Sequence, residues 1–132
     1  MKTFFIRAAK VAVIFLFVSA VVLTALYVVF KLFGFEAYVI SSPSMGQVLR
    51  EGDIVILCQV PFDELSENDI ITFRQSNTNL IITHRISRID AENGIVFTQG
   101  DENEGEDAAP VRSDQIIGRY FIRITALRGL FS

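Results

Sequence analysis

Lysine disappears from this 132-residue chain after Lys31, histidine occurs once, at His84, and cysteine once, at Cys58. Each scarcity removes an option. A lone cysteine cannot close an internal disulfide, so Cys58 says nothing about compartment. Within Ile54-Val55-Ile56-Leu57-Cys58 it reads as a small buried hydrophobe. A serine–lysine pair would have only Lys31 to draw on, and any imidazole base must be His84. Acids are missing from the other end, since the first of fifteen is Glu36. From Leu32 onward eight arginines face fifteen acids, a net charge of −7. That sign argues against nucleic acid as a partner, because phosphate contacts need basic surfaces. A solvated acidic surface accounts for the excess without any ligand.

The first feature present in quantity is apolar. Val11 to Phe30 holds twenty residues without a charge, enough to span roughly 30 Å as a helix, the thickness of a bilayer core. Lys2, Arg7 and Lys10 precede it, and Tyr27 and Lys31 suit the far interface. A cleaved secretory signal would have a core of roughly 7–15 residues and then a small-residue cleavage site. Val18-Ser19-Ala20 imitates such a site, but the run continues apolar beyond it. The expectation is a basic cytoplasmic N-terminus over residues 1–10, an uncleaved single-pass transmembrane anchor over 11–33, and an extracytoplasmic domain over 34–132. No second membrane segment is expected before the end at Arg128-Gly129-Leu130-Phe131-Ser132.

Beyond the anchor the period changes to that of strands. Tyr38 to Ile40, Ile54 to Val60, Ile70 to Phe73, Leu80 to Arg88, Ile95 to Thr98 and Ile116 to Ile124 are short, β-branched or aromatic, and separated by polar turns. One helical turn over Met45 to Leu49 is conceivable, though Gly46 weakens it. Asn93-Gly94 predicts a two-residue hairpin joining the strand of His84 to the strand that leads to Asp101. Glu51-Gly52-Asp53-Ile54-Val55 is echoed by Glu67-Asn68-Asp69-Ile70-Ile71, each a turn whose aspartate ties down backbone before a strand. The fold expected is mainly β: an N-terminal transmembrane helix, then a compact antiparallel, partly open β-barrel-like domain.

The chemistry centres on Ser42-Pro43-Ser44-Met45, a polar break after Tyr38-Val39-Ile40. A serine hydroxyl becomes a nucleophile only when a base takes its proton. His84 is the one imidazole available, with an alternative life as a half-buried strand histidine bonded to backbone. Imidazole titrates near pH 6.5, so it can accept and return a proton at neutral pH. A carboxylate that fixes the tautomer improves it, and the loop Thr98 to Asp107 offers Asp101 and Asp107, either of which could approach His84. The same loop spaces Asp101, Asn103, Gly105 and Asp107 two apart, like the start of a calcium loop. Glu106 stands where such a loop has glycine, however, and Arg112 where it has its bidentate glutamate. Oxyanion donors are available in the Ser44 N–H and the Ser42 hydroxyl, and Pro43 stiffens the segment between them.

Taken in order, these segments resemble type I signal peptidases, in the histidine-containing branch of archaea, the endoplasmic reticulum and some Gram-positive bacteria. Ser42-Pro43-Ser44-Met45 with Arg50-Glu51-Gly52-Asp53-Ile54-Val55-Ile56 is similar to the nucleophile box. Asn68-Asp69-Ile70-Ile71-Thr72-Phe73, Thr83-His84-Arg85-Ile86, Thr98-Gln99-Gly100-Asp101 with Asn103 and Asp107, and Ile116-Ile117-Gly118-Arg119 resemble the boxes that follow. The sequence departs from the family at Pro43, where glycine is frequent, and at Gly46-Gln47, where Glu-Pro is common.

The resemblance implies Ser44 as nucleophile, His84 as general base, Asp107 as the residue that orients it, and Asp101 as a supporting or structural acid. It implies a membrane-anchored serine endopeptidase that removes signal peptides from exported preproteins after small residues, in an Ala-x-Ala pattern. Its partners would be those preproteins and the lipid membrane, and no metal or cofactor is implied. Three other readings stand beside it: a catalytically inactive anchored binding module using the same sheet edge, an extracytoplasmic calcium-binding domain, and a self-cleaving regulator. The anchor and the missing lysine disfavour the last.

Overall fold

The computed structural model describes residues 1–125; the segment from Arg128 to Ser132, over which no second membrane stretch is expected, lies outside the described residues. No glycine or proline falls between Met1 and Phe33, and helix α1 runs uninterrupted over Lys2–Leu32. It therefore takes in the basic stretch as well as the apolar run. Thr3–Leu32, at 30 residues and a mean hydropathy of 2.8, is long and apolar enough to cross a membrane. The Thr24 hydroxyl donates back to the Ala20 carbonyl at 2.8 Å, which satisfies it inside the helix. Gly34 ends α1 at φ 72°, and its N–H bonds to the Lys31 carbonyl at 3.0 Å. That left-handed position costs glycine nothing. Met1–Gly34 is one compact unit, and a second begins at Phe35.

The second unit is an antiparallel sheet. Its strands are β1 (Phe35–Val39), β2 (Ile54–Cys58), β3 (Ile70–Arg74), β4 (Ile81–Asp90), β5 (Ile95–Gln99), β6 (Val111–Arg112) and β7 (Ile116–Ile124). They lie in the order β1-β2-β7-β3-β4-β5-β6, and every pairing is antiparallel. The edges β1 and β6 do not pair, so the sheet stays open, in line with the expected partly open antiparallel domain. Register shifts between Ile56 and Leu57 and between Thr72 and Phe73 mark bulges where β7 meets β2 and β3; bulges add local bend and twist.

Strand β3 is buried on both faces. Ile70 packs with Ile40, Met45, Leu49, Val55 and Leu57, whereas Ile71 and Phe73 pack with Leu65, Ile86, Val96 and Val111. The two aspartate turns hold their strands in the same way. Asp53 Oδ2 accepts the Arg50 N–H at 2.9 Å and Asp69 Oδ2 accepts the Ser66 N–H at 3.0 Å. Each carboxylate also faces an arginine of β7, Arg123 at 3.8 Å and Arg119 at 3.6 Å.

Four local features differ from expectation. Cys58 is half-buried rather than buried. β6 follows Pro110 and is only two residues long, too short to show a strand period in sequence. Residues after Pro43 form turns rather than a helical turn, and Gly46 stands at φ 56°. The β4–β5 connection is a four-residue loop, because Asp90 pairs with Ile95. Only Gly94 takes positive φ, at 63°, whereas a two-residue type I′ turn needs it at both central residues. Asn93 is instead held by Asp90, whose carboxylate accepts its backbone N–H at 3.2 Å and its side-chain amide at 2.7 Å.

Candidate functional site

Four successive antiparallel pairings, β1 to β2 to β7 to β3 to β4, leave β1 and β4 running in the same direction. Ser44 follows the end of β1 in a turn closed by the Gly46 N–H on the Pro43 carbonyl at 2.8 Å. His84 sits within β4, opposite Ile71 of β3, with its ring edge-on to Phe73 at 6.4 Å between centroids. Asp107 is fixed by its own N–H, which donates to the Thr98 carbonyl at 2.7 Å.

The three side chains meet. Asp107 Oδ2 lies 2.6 Å from His84 Nδ1, and His84 Nε2 lies 3.1 Å from Ser44 Oγ. Facing a carboxylate, Nδ1 carries the ring proton, so Nε2 accepts from the Ser44 hydroxyl. Both partners are sheltered, with His84 side-chain exposure at 9% and Asp107 at 24%. Ser42 Oγ stands 3.0 Å from Ser44 Oγ. The Ser44 N–H has no acceptor among the described residues. Proline at 43 fits this turn, since no residue from Ser41 to Met45 needs positive φ.

Asp101 goes elsewhere. It takes a two-pronged bond from Arg85, Nε to Oδ1 at 2.9 Å and Nη2 to Oδ2 at 2.7 Å. Asp101 and Asp107 thus turn to different partners instead of converging as calcium ligands would. Among the described residues no group of three or more His, Cys, Asp or Glu side chains is placed to hold a metal.

Two neighbours of the site stood in the sequence only as members of the acidic box, with no role assigned to them. The buried Thr98 hydroxyl donates to Asp107 Oδ2 at 2.7 Å, so that oxygen serves threonine and histidine together. Gly100 lies so close that a Cβ there would stand 2.8 Å from the Ser44 carbonyl and 3.0 Å from His84 Nε2. Only glycine permits that approach. Thr98 is the buried alternate of β5, whose burial pattern was visible only once the strand was placed.

A groove of about 250 Å³ runs between the end of β1 and the start of β4, lined by Tyr38, Ile40, Ser42, Met45, Leu80 and Ile82, and it reaches Ser44. Partial burial and the hydrogen bond to Glu36 at 2.9 Å push the Tyr38 hydroxyl above the usual phenol range. It therefore remains a neutral group at physiological pH.

A hydroxyl bonded to an imidazole that is held by a carboxylate is the arrangement used for acyl transfer by serine hydrolases. Here it sits on an open antiparallel sheet preceded in sequence by one long apolar helix. No protein-family model matches the chain. The chain is similar to Signal peptidase I W of Bacillus subtilis (strain 168), at 32% identity over 91 residues, which cover 67% of this chain and 47% of that protein. The chain thus spans about half the length of the curated relative it matches.

Proposed function

We propose that this chain is a signal peptidase of the histidine-containing branch: a membrane-anchored serine endopeptidase that removes signal peptides from exported preproteins. The single observation behind the reading is the continuous hydrogen-bonded line Ser44–His84–Asp107, with distances of 3.1 and 2.6 Å. Similarity to Signal peptidase I W and a helix with the length and apolarity of a membrane span support it.

In this reading α1 is the anchor, the basic residues Arg7 and Lys10 stay in the cytoplasm, and the sheet works on the outer side. A preprotein lies extended in the groove between β1 and β4, adding main-chain hydrogen bonds to those strands. The limited room between Ile40, Met45 and Ile82 suits small side chains ahead of the cut, the Ala-x-Ala pattern. His84 Nε2 takes the Ser44 proton as Oγ attacks the scissile carbonyl carbon. The Ser44 N–H and the Ser42 hydroxyl receive the oxyanion. His84 then passes its proton to the departing amine, and a water activated by the same imidazole releases the acyl group. Asp107 holds the tautomer throughout, while Asp101 braces the loop through Arg85. Every proton transfer is assigned to a side chain of this chain, and no cofactor enters.

The test is processing of a membrane-inserted Ala-x-Ala substrate by the wild type and by Ser44→Ala. Loss of cleavage to background in the variant is expected. Unchanged cleavage would remove the enzyme reading and leave the inactive binding module.

A further inference from the structure

Ser42 and Ser44 line a second hollow besides the groove. It measures about 470 Å³ and is otherwise bounded by Pro43, Gly46, Glu102 and Asn103. The groove and the hollow share Ser42 and Ser44 in their walls, so a chain that fills the groove up to Ser44 and continues past it meets the hollow. The groove takes the acyl side of the cut, so the hollow receives the leaving side.

That leaving side meets one charge. Glu102 is pinned to the nucleophile turn by its N–H on the Ser44 carbonyl at 2.9 Å. Its side chain lies directly over Gly46, where an added Cβ would come within 2.7 Å of the Glu102 Cγ. The absence of a Cβ at Gly46 therefore leaves the space that the Glu102 side chain occupies. Three other acids of the loop are engaged, Asp101 by Arg85, Glu106 by Ser87 and Arg88, and Asp107 by His84 and Thr98, and Glu104 does not line the hollow. The Glu102 carboxylate has no hydrogen bond or ion pair among the described residues, and no basic residue lines the hollow.

We propose that Glu102 is a specificity-determining residue for the segment just after the cut, favouring basic and disfavouring acidic side chains in its first two positions. The inference rests on the endopeptidase reading of the same site. The carboxylate would also face the α-ammonium that appears when the peptide bond breaks. Attraction of this kind at a solvent-open site is modest, worth about a five-fold preference at most, and it fades as salt screens it.

The experiment compares two membrane-inserted Ala-x-Ala substrates that differ only in carrying Lys-Lys or Glu-Glu directly after the cut. The readout is the ratio of their kcat/KM values for the wild type, Glu102→Gln and Glu102→Lys. A ratio of about five in favour of Lys-Lys is expected for the wild type at low salt. It should fall to about one in Glu102→Gln and invert in Glu102→Lys, with added salt pulling every ratio toward one. A wild-type ratio near one, or a ratio that Glu102→Gln leaves in place, overturns the role of Glu102 alone. If the wild type cuts neither substrate, the endopeptidase reading itself fails and takes this inference with it.

Discussion

Both nitrogens of His84 are occupied, and the two acids that sequence offered to it part company. Asp107 holds Nδ1 at 2.6 Å while Asp101 closes on the Arg85 guanidinium. Their replacements should therefore differ in kind. Asp107→Asn frees Nδ1 to lose its proton and Nε2 to carry one, which leaves the imidazole unable to accept from Ser44. Turnover is expected to fall on the order of 10⁴-fold. Asp101→Asn breaks a partly exposed pair, with side-chain exposures of 32% for Arg85 and 22% for Asp101, and screening holds its worth to about 1 kcal/mol or less. It should show in thermal unfolding, with turnover largely retained. Steady-state kinetics and melting on both variants check this, and equal losses of turnover would overturn the division of labour.

The acidic loop between β5 and β6 belongs to β4 as much as to itself. Asp101, Glu106 and Asp107 clasp Arg85, Ser87 with Arg88, and His84, four residues within one five-residue stretch of β4. The Ser87 hydroxyl at 2.7 Å, helped by Arg88, holds the Glu106 carboxyl below its ordinary range. A lowered folded-state value stabilises the ionised clasp above the ordinary carboxylate range, and the contribution is lost as pH falls through the lowered value. Ser87→Ala should move the Glu106 titration up toward the ordinary value, as read by NMR of its side-chain carboxyl. A titration that stays where it was would mean that serine is not the cause.

This clasping marks the limit of what sequence disclosed. The alternation in His84-Arg85-Ile86-Ser87-Arg88-Ile89 identified a strand because period is a local property. The repeated aspartate turns were legible for the same reason, since each bond spans three residues. Which acid meets histidine depends on how a loop folds back across 23 residues of separation. Thr98 and Gly100 matter only through that return. β6 and the four-residue hairpin escaped because two residues carry no period and Asn-Gly can serve a longer turn with one left-handed residue instead of two.

At the scale of the molecule, one face of the β1–β2–β7 region carries two apolar rows, and the row that follows, Phe35 and Cys58, ends at Arg119. Val39, Ile54 and Ile124 are register partners, as are Ala37, Ile56 and Ile122, and Phe35 meets Phe121 with ring centroids 5.3 Å apart. Val39, Phe121 and Ile122 are each more than half exposed, at 64%, 61% and 51%. Single exposed hydrophobes are ordinary, but a contiguous set marks a contact surface. Helix α1 ends at Leu32, with two residues between it and β1, and on the proposed membrane-anchored reading lipid is the occupant expected on this face. A face resting on the bilayer would hold the groove near membrane-bound substrate and raise its effective concentration. Phe121→Ser combined with Ile122→Thr removes apolar surface worth about 2 kcal/mol. Cleavage of a membrane-inserted preprotein should then drop on the order of tenfold, while cleavage of a short soluble peptide should hold. Salt should leave this loss untouched, in contrast to the Glu102 preference. A parallel loss on both substrates would instead locate the defect in the sheet itself and count against lipid contact.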